Sequence, residues 1–87
     1  MRNADIIADI IAVLDTDGWT TPANWRNVRN HRVDEFGNAV TVHAEGDTVR
    51  VEFDYAIPGI VETMNLDPRH GGERIARIIA ALAAAPL

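Results

Sequence analysis

The side chains that could do chemistry are few in kind. The chain has eight basic residues, all arginine, thirteen carboxylates, three histidines and no cysteine, serine, lysine or glutamine. Nucleophilic catalysis through Ser, Cys or Lys is therefore excluded, and an enzyme would have to work through histidine, a carboxylate, Thr, Tyr55 or a bound metal. His31, His43 and His70 lie 12 and 27 residues apart, which matches no compact ligand spacing such as HExxH, so no metal site is expected. No GxGxxG, Walker A, EF-hand or Ser-His-Asp pattern occurs, and no cofactor is implied. The carboxylates of the central region alternate with apolar residues, as a solvent-facing charge row does, and are not paired for acid and base roles. The expectation is a non-enzymatic protein with no catalytic residues.

Two clusters carry the remaining chemistry. Residues 24 to 32 hold Arg26, Arg29 and Arg32 without an acid, together with Trp25, Asn24, Asn27, Asn30 and His31, whereas residues 33 to 67 carry a net charge of -7. Arg and Asn read base edges and Trp stacks on bases. This makes Arg26, Asn27, Arg29, Asn30 and Arg32 the candidates for a nucleic-acid contact, the alternative reading. Three arginines are few for such a role, because affinity scales with the phosphates neutralised, and in an acidic domain they also serve to offset neighbouring acids. His70, Gly71 and Gly72 precede a helix between Arg69 and Arg74, a place where an anion could sit.

The leading reading is interaction. Trp19, Trp25, Tyr55 and Ile57, with Ile60 and Val61, exceed what a thin two-layer core needs. Surplus apolar and aromatic surface points to a protein partner or to self-association as a homodimer, aided by an open sheet edge. Trp19, Trp25, Tyr55 and Ile57 are the interaction candidates, with Trp19 or Trp25 expected to be partly exposed.

The elements that must position these residues follow from periodicity. Ile6, Ile7, Ile10, Ile11 and Leu14 recur at helical spacing over residues 4 to 16, with Asn3 as N-cap and Gly18 just past the end. Residues 22 to 29 read as a short helical turn leading into an irregular or edge strand near His31 to Glu35. Val40, Val42 and Ala44 alternate with Thr41, His43 and Glu45, then Val49, Val51, Phe53 and Tyr55 alternate with Arg50, Glu52 and Asp54. A two-residue loop at Gly46-Asp47 sets Val42 against Val51, Val40 against Phe53 and His43 against Arg50, with the Ala44–Val49 pair on the same core face. Pro58-Gly59 makes a turn or bulge, and Ile60 to Leu66 forms another strand. Residues 73 to 85 place Ile75, Ile78, Ile79 and Leu82 on one helical face before Pro86.

The chain of 87 residues is short for a domain and allows one core only. The expected architecture is a single α+β domain spanning 1 to 87, with an N-terminal amphipathic helix, an antiparallel sheet of three or four strands, and a C-terminal amphipathic helix on the same sheet face. Its 47% apolar content and net charge of -5 fit a soluble globular protein rather than a disordered or generically nucleic-acid-binding one. Asp5 and Asp9 interrupt the first apolar stretch, so no signal peptide is read, and no apolar run reaches the ~20 residues of a membrane span. A cytoplasmic protein without membrane contact is expected.

The order of helix, three strands and helix resembles the topology of double-stranded-RNA-binding domains over most of the chain. In that family a lysine cluster opens the second helix and meets phosphates. This chain offers only Arg69, Arg74 and Arg77 there.

Overall fold

A computed structural model describes residues 3–21, 30–56 and 61–84. The described residues form α1 (Asn3–Thr16), β1 (His31–Val33), β2 (Ala39–Glu45), β3 (Thr48–Asp54), β4 (Val61–Leu66), a 3-10 turn (Pro68–His70) and α2 (Gly72–Ala84). The four strands make one antiparallel sheet in the order β1-β2-β3-β4. This is the expected α+β class with the fourth strand realised as the three-residue β1. The short helical turn read for residues 22 to 29 and the turn at Pro58-Gly59 lie outside the described residues.

Each element forms where its apolar pattern demands. The α1 stripe buries Ile6, Ile7, Ile10 and Leu14. Asn3 falls inside the helix as its first residue, and its side-chain amide donates to the Gly46 carbonyl at 3.1 Å, tying the helix start to the β2–β3 turn. At the other end Gly18 takes φ +94°. The Trp19 amide then donates back to Leu14 and the Gly18 amide to Asp15, the Schellman pair that satisfies the last carbonyls of a helix.

The β2–β3 hairpin has the register expected from alternation, with Glu45 opposite Thr48, Val42 opposite Val51 and Val40 opposite Phe53. Gly46 supplies the positive φ the tight loop requires. Val40, Val42, Val49, Val51 and Phe53 are fully buried. Ala44, assigned to the core face, is exposed: it lies at the hairpin tip, where its partner Val49 is covered and it is not.

On α2, Ile75, Ala76 and Ile79 join the same cluster as the buried residues of α1 and the sheet, with Leu82 at its margin. The helices meet at Gly72. A Cβ there would fall inside contact distance of the Asp9 Cβ and 2.9 Å from the Ile6 carbonyl oxygen, so the approach of α2 to α1 depends on this glycine.

Candidate interaction surface

The aromatic residues expected at the surface belong mostly to the core. Trp19 is only 7% exposed, because the Schellman turn folds it back over Leu14. Tyr55 is 3% exposed: it continues the β3 alternation onto the face of Phe53, and the two rings stack with centroids 5.0 Å apart. Its hydroxyl donates to Glu62 at 3.4 Å on β4, and burial first, then Glu62, pushes its pKa above the usual 10.0. The expectation of exposure therefore fails for Trp19. Trp25 and Ile57 lie outside the described residues.

The arginine segment is only partly visible. Arg26, Asn27 and Arg29 lie outside the described residues. The Asn30 carbonyl accepts from the Val42 amide at 3.0 Å, leading the chain into β1. Arg32 pairs with Asp15 at 2.7 Å and also donates to the His31 carbonyl, and its side chain is 12% exposed. Charge here is spent on joining β1 to the end of α1. The same holds near α2: Arg69 is bound to Asp67 at 2.6 Å and Arg77 to Glu73 at 2.5 Å. Hydrogen bonds from the Arg69 side chain and amide hold Asp67 at a pKa of about 2. The hollow before α2 lined by His70, Gly71, Gly72, Arg74 and Arg77 also carries Asp9 and Glu73, carboxylates that oppose an anion.

The sheet face opposite the helices carries a row of charged side chains paired with one another. His43 lies opposite Arg50 and 3.7 Å from Glu52, and Arg50 pairs with both Glu45 and Glu52 at 3.1 Å. His31, at the inner end of this face, is 6% exposed, and its Nδ1 lies 2.8 Å from the Thr41 hydroxyl. Burial and the neighbouring Arg32 lower its pKa from 6.5, against a smaller opposing effect of Asp54. Among the described residues no group of three or more His, Asp or Glu side chains could hold a metal ion. No helix among them is long and apolar enough to cross a membrane.

One apolar residue stands out. Phe36 is 72% exposed, although the turn that carries it is firmly built. Asp34 Oδ1 accepts from the amides of Phe36 and Asn38, both at 2.9 Å, and the Asp34 amide donates to the Asn38 carbonyl at 2.9 Å. Gly37 takes φ +86°. Asn38, 8% exposed, anchors the whole: its side-chain Nδ2 donates to Asp34 Oδ2 at 3.0 Å and to the Ala83 carbonyl at 3.4 Å, and its Oδ1 accepts from the Ala56 amide at 3.0 Å. Phe36 is thus held outward, beside a groove of about 270 Å³ whose floor and walls are Gly18, Trp19, Ala80, Ala83 and Ala84 and whose rim carries Asp17, Asp34 and Glu35.

Sequence reasoning did not single out Phe36 or Asn38. The signal available was a lone aromatic in the Asp34-Glu35-Phe36-Gly37-Asn38 segment, a polar turn in which no apolar side chain is needed for folding. The other large exposed apolar residue among those described is Val61, 67% exposed at the start of β4. Compared with protein-family models, curated proteins and solved structures, the chain matches none.

Proposed function

We propose that this chain is a non-enzymatic protein-interaction domain whose docking surface is the groove beside Phe36. The observation that carries this reading is the 72% exposure of Phe36 on a turn fixed by Asp34 and Asn38. A large aromatic side chain exposed on a mobile loop costs a binder ordering entropy, whereas one held in place does not. Aromatic residues, Phe among them, are enriched at the cores of protein interfaces. His43, Glu45, Arg50 and Glu52 on the sheet face, by contrast, are paired with one another, which favours a scaffold role for that face over chemistry.

The test is selection of ligands from a random peptide library against the intact chain, with Phe36→Asp as counter-target. Ligands are expected that bind the native chain and lose at least tenfold affinity for Phe36→Asp, while the variant unfolds within about 0.5 kcal/mol of the native chain, as an exposed substitution should. Ligands indifferent to Phe36, or a Phe36→Asp variant that fails to fold, would overturn the assignment.

A further inference from the structure

We infer that the occupant of this groove is a basic segment with an apolar anchor: a stretch of a partner protein in which Arg or Lys flanks a Leu or an aromatic residue. The inference rests on the interaction reading above and adds the chemistry of the partner. Three elements meet at this corner and each brings negative charge. α1 ends in Asp15 and Thr16 and is followed by Asp17, with no basic residue in its last turn, and α2 also ends without one. The carbonyl end of a helix carries partial negative charge that a cation normally complements. The β1–β2 turn adds Asp34 and Glu35.

Not all of this charge is available. Asp15 is taken by Arg32, and Asp34 by the amides of its own turn and the Asn38 side chain. Asp17 and Glu35 are exposed, and among the described residues neither has an ion-pair partner. Among the described residues no basic side chain lines the groove. An apolar floor of Trp19, Ala80 and Ala83, a phenylalanine wall and a rim with two free carboxylates together select a ligand that is apolar in the middle and cationic at its flanks.

The alternatives meet a charge cost. An acidic partner would place carboxylates against Asp17 and Glu35. A second copy of this chain, docking by a two-fold contact, would set the same patch against itself, in a molecule of net charge -5. A neutral apolar segment would gain the floor but leave the rim carboxylates facing uncharged backbone.

The experiment uses three synthetic nine-residue peptides sharing a central Leu-Trp pair, flanked by arginines, by glutamines or by glutamates. Each is titrated into the ¹⁵N-labelled intact chain at low and high salt, with amide shifts reporting where it binds. The arginine peptide is expected to shift the amides of residues 17 to 19, 34 to 38 and 80 to 84 and to bind roughly tenfold more tightly than the glutamine peptide. That is the gain two exposed ion pairs near the upper end of their range provide, and it should fade at high salt. Asp17→Asn with Glu35→Gln, two exposed positions outside the core, should bring the arginine peptide down to the affinity of the glutamine one.

Equal binding of the peptides at the groove, lost in Phe36→Asp, would leave the docking surface standing and overturn the basic partner. Self-association of the free chain that shifts these same amides would assign the groove to a second copy and overturn it likewise. No shift at the groove with any peptide would overturn both the partner and the interaction reading.

Discussion

Truncating the centre of the hairpin should separate the two faces of the sheet by their energetics. Phe53 is fully buried, lies between Val40 and Glu62 across the sheet and stacks on Tyr55. Phe53→Ala removes a buried ring and its aromatic partner, at a cost of about 3 to 5 kcal/mol. A chain of this length has about 4 to 13 kcal/mol in total, so the variant loses roughly a quarter or more of its stability. Val51→Ala deletes two buried carbons, worth ~1.6 kcal/mol in transfer alone, and roughly 2 to 3 kcal/mol with the cavity left behind. Arg50, next to Val51 in the chain, lies on the opposite face, its side chain 37% exposed. Its pairs with Glu45 and Glu52 are worth about 0.2 to 1 kcal/mol each. Deleting it also removes the Nε, which is buried without a hydrogen-bond partner among the described residues, so Arg50→Ala should cost under about 1 kcal/mol. With a urea slope of about 1 to 1.5 kcal/mol/M, the midpoint should fall by roughly 2 to 5 M for Phe53→Ala, roughly 1.3 to 3 M for Val51→Ala and under about 1 M for Arg50→Ala. Equilibrium urea unfolding followed by circular dichroism reads all three. An Arg50→Ala loss as large as that of Val51→Ala, at an unchanged slope, would refute the assignment of faces.

Three further outcomes follow from single positions. Asn38→Leu leaves the Ala56 amide without its acceptor and frees the end of α2, so it should cost about 2 to 4 kcal/mol, with hydrogen exchange at Ala56 and residues 34 to 38 accelerating more than exchange in β3; uniform acceleration would show that Asn38 does not hold that corner. Gly72→Ala should destabilise by roughly 1 to 3 kcal/mol despite the better helix propensity of alanine, and a stabilised variant in thermal unfolding would contradict the close approach of α2 to Ile6 and Asp9. His31, whose folded pKa lies below its ordinary 6.5, takes up its proton later in the folded state than in the unfolded one. Its contribution to stability is complete above pH 6.5 and is lost as the pH falls from there through the folded value, with a slope of at most about 1.4 kcal/mol per pH unit. Urea midpoints at pH 7 and 5.5 should converge in His31→Gln relative to the native chain, and identical pH dependences in the two would refute the burial effect.

What the sequence made legible is what depends on strict periodicity. The β2–β3 register was readable because a two-residue loop and an alternating pattern each fix the pairing, and a one-residue slip would have turned Val42, Val51 and Phe53 outward. Both helices were readable from stripes at i, i+3 and i+4. β1 was only half legible, because three residues are too few for a period to show, and its position depends on pairing with β2 and on the Thr20–Val33 bridge. The 3-10 turn at Pro68–His70 went unread: it is set by Asp67 accepting from the Arg69 amide, an interaction that leaves no periodic trace. The candidate site was the least legible part, since the burial of Trp19 follows from a helix-terminating turn and the exposure of Phe36 from hydrogen bonds made by Asp34 and Asn38, side chains close in sequence but decisive only once the turn is closed.

Trp19 and Phe36 show why apolar supply alone does not say which side chains stay exposed. Both follow or precede a glycine with positive φ, Gly18 and Gly37, and both border the same groove. After Gly18 the chain turns back over the helix it has just left, and the 6→1 hydrogen bond from Trp19 to Leu14 carries the indole into the core with it. Before Gly37 the chain is already committed to a hairpin turn, in which the Asp34 carboxylate holds the Phe36 amide inward and its side chain outward. The larger aromatic is consumed by folding, and the smaller one is left where folding gains nothing from it. An aromatic side chain kept exposed by a hydrogen-bonded turn, next to carboxylates without partners, is explained by binding more readily than by stability, and for that reason the groove rather than the hairpin or the histidines carries the functional proposal.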